Sequence, residues 1–140
     1  MERKASAIWN GDLRNGKGTV SSDSGVLADT PYSFRTRFEN EPGTNPEELV
    51  AAAHAGCFSM ALSGELGDAG LKPESIQTRA TLTLDLSGRP TITHIHLDVT
   101  ARVPGADKAA FDQAAQAAKE GCPISRLLKA EITIDARLVS

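Results

Sequence analysis

Cysteine is almost absent from this sequence: there are two, Cys57 and Cys122, in 140 residues. One pair cannot make a disulfide framework, and a chain of this length buries enough core not to need one. There is no CxxC, no HExxH and no second close cysteine pair, so the usual zinc signatures are missing. A nucleophile elbow, a Gly-rich phosphate loop and a carboxylate pair at glycosidase-like positions are missing too, which sets aside the hydrolase and nucleotide chemistries they serve. Charge of one sign is not in excess: the net charge is −3 with no basic patch, which argues against nucleic acid. Residues 1–20 hold no apolar h-region, and no run is read as reaching the roughly 18 apolar residues of a membrane span. The expectation is a cytoplasmic protein with no membrane or nucleic-acid partner. Repeats, low-complexity segments and long linkers are also lacking, so residues 1–140 are read as a single domain.

What is present is one long apolar stretch, Gly43 to Gly67. It opens with a helix start: Asn45 can cap, Pro46 suits the first helical position, and Glu47 and Glu48 put negative charge in the first turn. Thr44 with Glu47, or Asn45 with Glu48, has capping-box spacing. From Leu49 to Leu62 almost every residue is apolar or small, and a helix apolar all round reads as buried. It should stop near Gly67 or Gly70, before Pro73.

Around this helix, residues 3–9 and 17–21 read as short strands. Tyr32 to Phe38 reads as a half-buried strand, because Tyr32, Phe34, Thr36 and Phe38 alternate with Ser33, Arg35 and Arg37. Ser75–Leu86 and Thr91–Val103 alternate strictly about the turn Ser87-Gly88-Arg89-Pro90 and predict a hairpin. Asp107–Glu120 predicts an amphipathic helix closed by Gly121. Pro123 begins a short helix through Leu128, and Lys129–Val139 a last strand. The pattern is α+β, with helices against antiparallel sheets packed around a central buried helix. A small sheet covers only one face of that helix, so its all-round apolarity implies a homodimer with the helix near the interface.

Cys57 lies twelve residues past Asn45, roughly 18 Å along a helix, beyond reach of that helix's own N-terminal dipole. A thiolate there needs a cation from elsewhere, and Arg35 and Arg37 are the candidates. Glu47 either simply starts the helix or orients such an arginine, within the chain or across a dimer interface. Cys122 precedes the short helix at Pro123, whose free N–H groups favour a thiolate. One cysteine in an apolar helix and one at a helix start fit a nucleophile with a resolving thiol. They also fit inert packing. Metal binding competes through His54 with Cys57 at i, i+3 and through His94 with His96 on one strand face, although each reads equally as packing or a wet face.

The segments YSFRTRF (32–38), GTNPEEL (43–49), AAxHAxCFSMAL (52–62 region) and GCPIS (121–125) together resemble the OsmC branch of the OsmC/Ohr family, the osmotically inducible and organic hydroperoxide resistance proteins. The resemblance runs from Trp9 to KAEITIDARL at 129–138. It implies an intertwined α+β homodimer and a thiol peroxidase of osmotic and oxidative stress. Cys57 would be the peroxidatic nucleophile, Cys122 the resolving thiol, and Arg37, held by Glu47, the activating cation. The Ohr-branch loop that carries the arginine reads GDLRNGKG here, so Arg37 is preferred to Arg14 or Arg35. Phe34, Phe38, Phe58 and Met60 are expected to line an apolar approach favouring organic hydroperoxides over hydrogen peroxide. An external dithiol, lipoyl-type or thioredoxin-like, would recycle the disulfide, with no cofactor and no metal. The alternatives in another class are a zinc-binding module and a non-catalytic ligand-binding stress protein.

Overall fold

The computed structural model describes residues 1–140 as two compact units, Met1–Leu49 and Val50–Ser140, with the boundary in the first turn of the longest helix.

In the first unit, β1 (Ala5–Asn10), β2 (Lys17–Ser22) and β3 (Thr30–Tyr32) form an antiparallel sheet in that order. Gly18 pairs with Trp9 on one side and Tyr32 on the other. A Cβ at Gly18 would sit 2.6 Å from atoms of both rings, so the glycine is what lets them close to 5.4 Å between centroids. The expected strand over Tyr32–Phe38 ends at Tyr32, and Phe34–Phe38 is a short helix, α1. Ser33 and Thr36 explain the change. The Ser33 hydroxyl accepts from the Thr36 N–H, and the Thr36 hydroxyl accepts from the Ser33 N–H, a reciprocal capping box that outweighs a weak alternation of period two. Phe34 and Phe38 thus become i, i+4 neighbours with centroids 4.9 Å apart.

The long helix α2 runs Pro46–Asp68. Asn45 caps it, its Oδ1 accepting from the Glu48 N–H at 2.8 Å, while Thr44 Oγ1 donates to the Glu48 carboxylate. Its end is a Schellman turn. The N–H of Leu71 reaches Leu66 O, the N–H of Gly70 reaches Gly67 O, and Gly70 takes the left-handed φ of 77° that the turn demands. α2 is not enclosed in the single chain. Its buried residues in the second unit are one stripe at spacing four, His54, Phe58, Leu62 and Leu66, while Ala52, Ala53, Gly56, Met60, Ser63, Gly64 and Gly67 are exposed. One sheet has one face to offer. α2 has 23 residues, and its most apolar 18-residue window has a mean hydropathy of 1.3, the length and apolarity of a membrane span, against the expectation that no segment would.

The second unit contains the predicted hairpin, β4 (Ser75–Asp85) and β5 (Thr91–Arg102), then α3 (Lys108–Gly121), α4 (Pro123–Leu127) and β6 (Glu131–Val139). The sheet order is β4-β5-β6, and β6 pairs with β5 in parallel, so this sheet is mixed rather than wholly antiparallel. Parallel neighbours require a crossover, and α3 with α4 supplies it. The core gathers Phe58, Leu62 and Leu66 of α2, Ile95, Leu97, Val99 and Ala101 of β5, and Phe111, Ala114, Ala115 and Ala118 of α3. The last four fall at i, i+3, i+4 and i+7, the stripe a helix lays on a sheet. Asp107 caps α3 through the Ala110 N–H at 2.7 Å.

Candidate active site

The first unit builds a held cation. Arg37 ends α1 and Glu47 starts α2, so each charge sits at the helix end that suits it. Asn45 joins these ends, donating from Nδ2 to Thr36 O at 3.0 Å while it caps α2. Arg37 then donates to Glu47 from Nε at 3.0 Å to Oε1 and 3.1 Å to Oε2, and from Nη2 at 2.8 Å to Oε1. Glu47 is nearly buried and Arg37 partly exposed, a fork-to-fork geometry that fixes the plane of the guanidinium. Nη1 has no partner in the chain and is free to donate. The guanidinium carbon lies 5.0 Å from the centre of the Phe38 ring. A pocket of about 180 Å³ opens here, lined by Trp9, Leu13, Tyr32, Ser33, Phe34, Arg37 and Phe38.

The other two arginines are engaged differently. Arg35 is 65% exposed and pairs with Glu39 and Glu41. Arg14 stacks on Phe34 with 5.1 Å to the ring centre.

The second unit brings the cysteines together. Cys57 projects from the middle of α2 and Cys122 sits where α3 gives way to α4. Their Sγ atoms are 2.7 Å apart and both are free thiols. The bonded distance is about 2.05 Å, so a disulfide needs little motion. Burial, and then the Cys122 thiol, push the Cys57 pKa above its ordinary 9.0, while the N–H of Ile124 pulls it down. Cys122 was expected to use the start of α4 for itself. It is the N-cap residue but makes no side-chain cap bond, because its sulfur turns inward to Cys57. The free amide of that helix start serves Cys57 instead.

His54 bonds through Nε2 to Ser125 Oγ at 2.8 Å and does not join Cys57. His94 Nε2 and His96 Nδ1 both meet Thr133 Oγ1, at 2.9 and 2.6 Å. No group of three or more His, Cys, Asp or Glu side chains gathers in a metal-holding cluster. Phe34 and Phe38 line the pocket of the first unit, while in the second unit Phe58 is fully buried in the core and Met60 is 79% exposed. Sequence reasoning missed Trp9, Leu13 and Tyr32 as pocket walls, and missed Ser125 and the Ile124 amide. The signal for the last was Pro123 at the first helical position, which leaves the next amides unpaired.

The OsmC-like protein family matches residues 38–137. Peroxiredoxin OsmC of Escherichia coli (strain K12) is 55% identical over 100% of this chain and 99% of its own length. Organic hydroperoxide resistance protein OhrB of Bacillus subtilis (strain 168) is 30% identical over 86% of this chain and 88% of its own. An OsmC-like protein from Mycoplasma pneumoniae superposes with a TM-score of 0.78 over 100% of this chain and 99% of that one at 13% identity, a likeness of fold.

Proposed function

Because the chain belongs to the OsmC-like family, a kinship its thiol pair fits, we propose that it is a thiol-dependent hydroperoxide reductase cycling through Cys57 and Cys122. The observation that carries the reading is the 2.7 Å approach of the only two cysteines, from elements 65 residues apart. Thiols that close serve a two-thiol redox cycle better than they serve packing.

In the proposed cycle the Cys57 thiolate attacks the outer oxygen of an organic hydroperoxide. The O–O bond breaks, the alkoxide takes a proton and leaves as alcohol, and Cys57 becomes a sulfenic acid. The Cys122 sulfur then bonds to the Cys57 sulfur, releasing water, and an external dithiol of lipoyl or thioredoxin type restores both thiols.

Cys57 cannot ionise readily on the terms of its own unit, where burial raises its pKa and one amide opposes. Arg37 supplies the missing charge. Glu47 holds Nε and Nη2, and Nη1 meets the oxygen on which negative charge develops. Phe34 and Phe38, with Trp9 and Tyr32, receive the organic group. The pocket's 180 Å³, below the ~300 Å³ of a drug-sized site, suits a small substituent or the end of a longer one and makes hydrogen peroxide the poorer substrate.

The working form is a two-fold homodimer in which residues 1–140 act as one domain, Arg37 of each chain serves Cys57 of its partner, and the exposed side of α2 is covered by the second copy rather than by lipid. What supports this is an apolar helix with a single covered stripe and a cation and a thiol pair in separate units. The expected location is the cytoplasm.

The test is mass spectrometry after one equivalent of tert-butyl hydroperoxide. Wild type should lose two hydrogens, and Cys122→Ser should carry one oxygen on Cys57. Sustained peroxide turnover in Cys57→Ser would refute the cycle.

A further inference from the structure

His54 stands one turn before Cys57 on α2, and Ser125 three residues after Cys122. The two pairs meet in parallel, thiol to thiol and imidazole to hydroxyl. His54 is 0% exposed and Ser125 8% exposed, and His54 Nε2 lies 2.8 Å from Ser125 Oγ. α4 has only five residues and no side-chain cap, and Pro123, Arg126 and Leu127 are exposed. From Cys122 to Leu127 the only buried residues are Cys122 and Ser125, the two that reach α2. The other ring nitrogen, Nδ1, is buried with no partner. An orphaned N–H in the interior is rarer than an orphaned lone pair, which places the proton on Nε2 with Ser125 Oγ accepting. The hydroxyl is therefore held by a neutral, rigid donor projecting from α2.

We infer that His54 and Ser125 are a positioning pair for disulfide formation: their hydrogen bond keeps Cys122 and the start of α4 on α2 while Cys57 is a sulfenic acid. The inference rests on the two-thiol cycle proposed above. Once Cys57 carries an oxygen, the thiol-to-thiol contact is gone, and of the polar ties between these segments the Ile124 amide still depends on the Cys57 side chain whereas the His54–Ser125 bond does not. The step consumes nothing further. A sulfur–sulfur bond forms, the sulfenic S–O bond breaks, and the departing hydroxide takes the Cys122 proton as water.

Single-turnover kinetics of the full chain with tert-butyl hydroperoxide tests the pair. In Ser125→Ala, peroxide loss should stay within about twofold of wild type, whereas disulfide appearance should slow roughly tenfold, the range set by loss of one buried hydrogen bond. Dimedone-trapped Cys57 should rise in step. Ser125→Thr, which keeps the hydroxyl, should restore the second phase. His54→Gln, which keeps an N–H donor, should hold it within about threefold, and His54→Leu should not. Equilibration with glutathione gives a readout free of turnover, with the disulfide roughly tenfold less favoured in Ser125→Ala. Second-phase rates unchanged in both Ser125→Ala and His54→Leu would overturn the inference, as would equal slowing of both phases, the mark of general structural damage. A wild type that consumes peroxide but forms no disulfide would instead end the two-thiol cycle.

Discussion

The two units divide burial and charge unevenly. In Met1–Leu49 the only buried residues are Gly16, Gly18 and Glu47, and no large apolar side chain is enclosed. In Val50–Ser140 a continuous core of a dozen buried residues surrounds one stripe of α2, and the polar groups it buries are His54 and Ser125, bonded to each other. The first unit is organised by directional contacts: a capping box, an asparagine spanning two helix ends and a forked ion pair. The second is organised by dry packing, which brings two sulfurs together but raises the pKa of the one that must ionise. A cation is hard to keep in a dry core and a thiol pair is hard to fix on a wet surface. Housing them in separate units satisfies both constraints.

Truncating one aromatic in each unit should show the contrast most strongly. Phe58→Ala removes a fully buried ring from the core and should cost about 3–5 kcal/mol in urea titration followed by circular dichroism. Phe34→Ala removes a half-buried pocket wall and should cost about 1 kcal/mol while raising KM for bulky hydroperoxides more than for hydrogen peroxide. Similar stability losses in the two variants would erase the distinction between a packed unit and a contact-built one.

Next in size is the cation. Arg37→Ala should slow peroxide reduction at pH 7 by roughly 10²–10³-fold and move Cys57 alkylation to higher pH. Arg35→Ala, which loses only exposed pairs with Glu39 and Glu41, should stay within about twofold. Glu47→Gln leaves the charge but loosens the fork, and about a tenfold loss is expected. Mixing Cys57→Ser with Arg37→Ala chains tests the two-fold arrangement. About a quarter of wild-type turnover should return if the arginine serves its partner, and none if it serves its own chain.

Much of this was legible in the sequence where local chemistry dictates structure. The hairpin, the amphipathic α3, the cap at Asn45 and a stop at Gly67 or Gly70 follow from period, capping residues and glycine alone. Tyr32–Phe38 misled because an alternation of seven residues is matched by a Ser-x-x-Thr box, and a reciprocal pair of hydrogen bonds wins over a half-buried face. The parallel pairing of β5 and β6 was readable from the helix between them but masked by strands of alternating type. The site divides in the same way. The cysteines stand out by rarity, and the family resemblance picks Arg37 with Glu47 where residue types alone leave Arg35 open, whereas Trp9, Tyr32 and Ser125 acquire their places only through sheet register and helix packing. A sequence records which groups are present, but long-range register decides which of them meet.

The smallest expected effect concerns the one histidine that the packed unit fully buries. Burial holds His54 below its ordinary pKa of 6.5, so the folded state favours the neutral ring. The unfolded chain binds the proton at higher pH, and stability therefore rises with pH between the folded and unfolded values. The contribution is complete above pH 6.5 and is lost as the pH falls below it, by at most about 1.4 kcal/mol at pH 5.5. Urea midpoints at pH 7.5 and 5.5 should separate further in wild type than in His54→Gln, which cannot titrate. His94 and His96 are retained in both proteins and cancel in the difference. Carboxylates held low by their own turns, such as Asp12 and Asp85, protonate below this window. Parallel pH dependences would mean that the ring accepts a proton where it sits. The Nε2 proton would then not distinguish one charge state from the other, and the packed unit would tolerate a charge that its dryness should refuse.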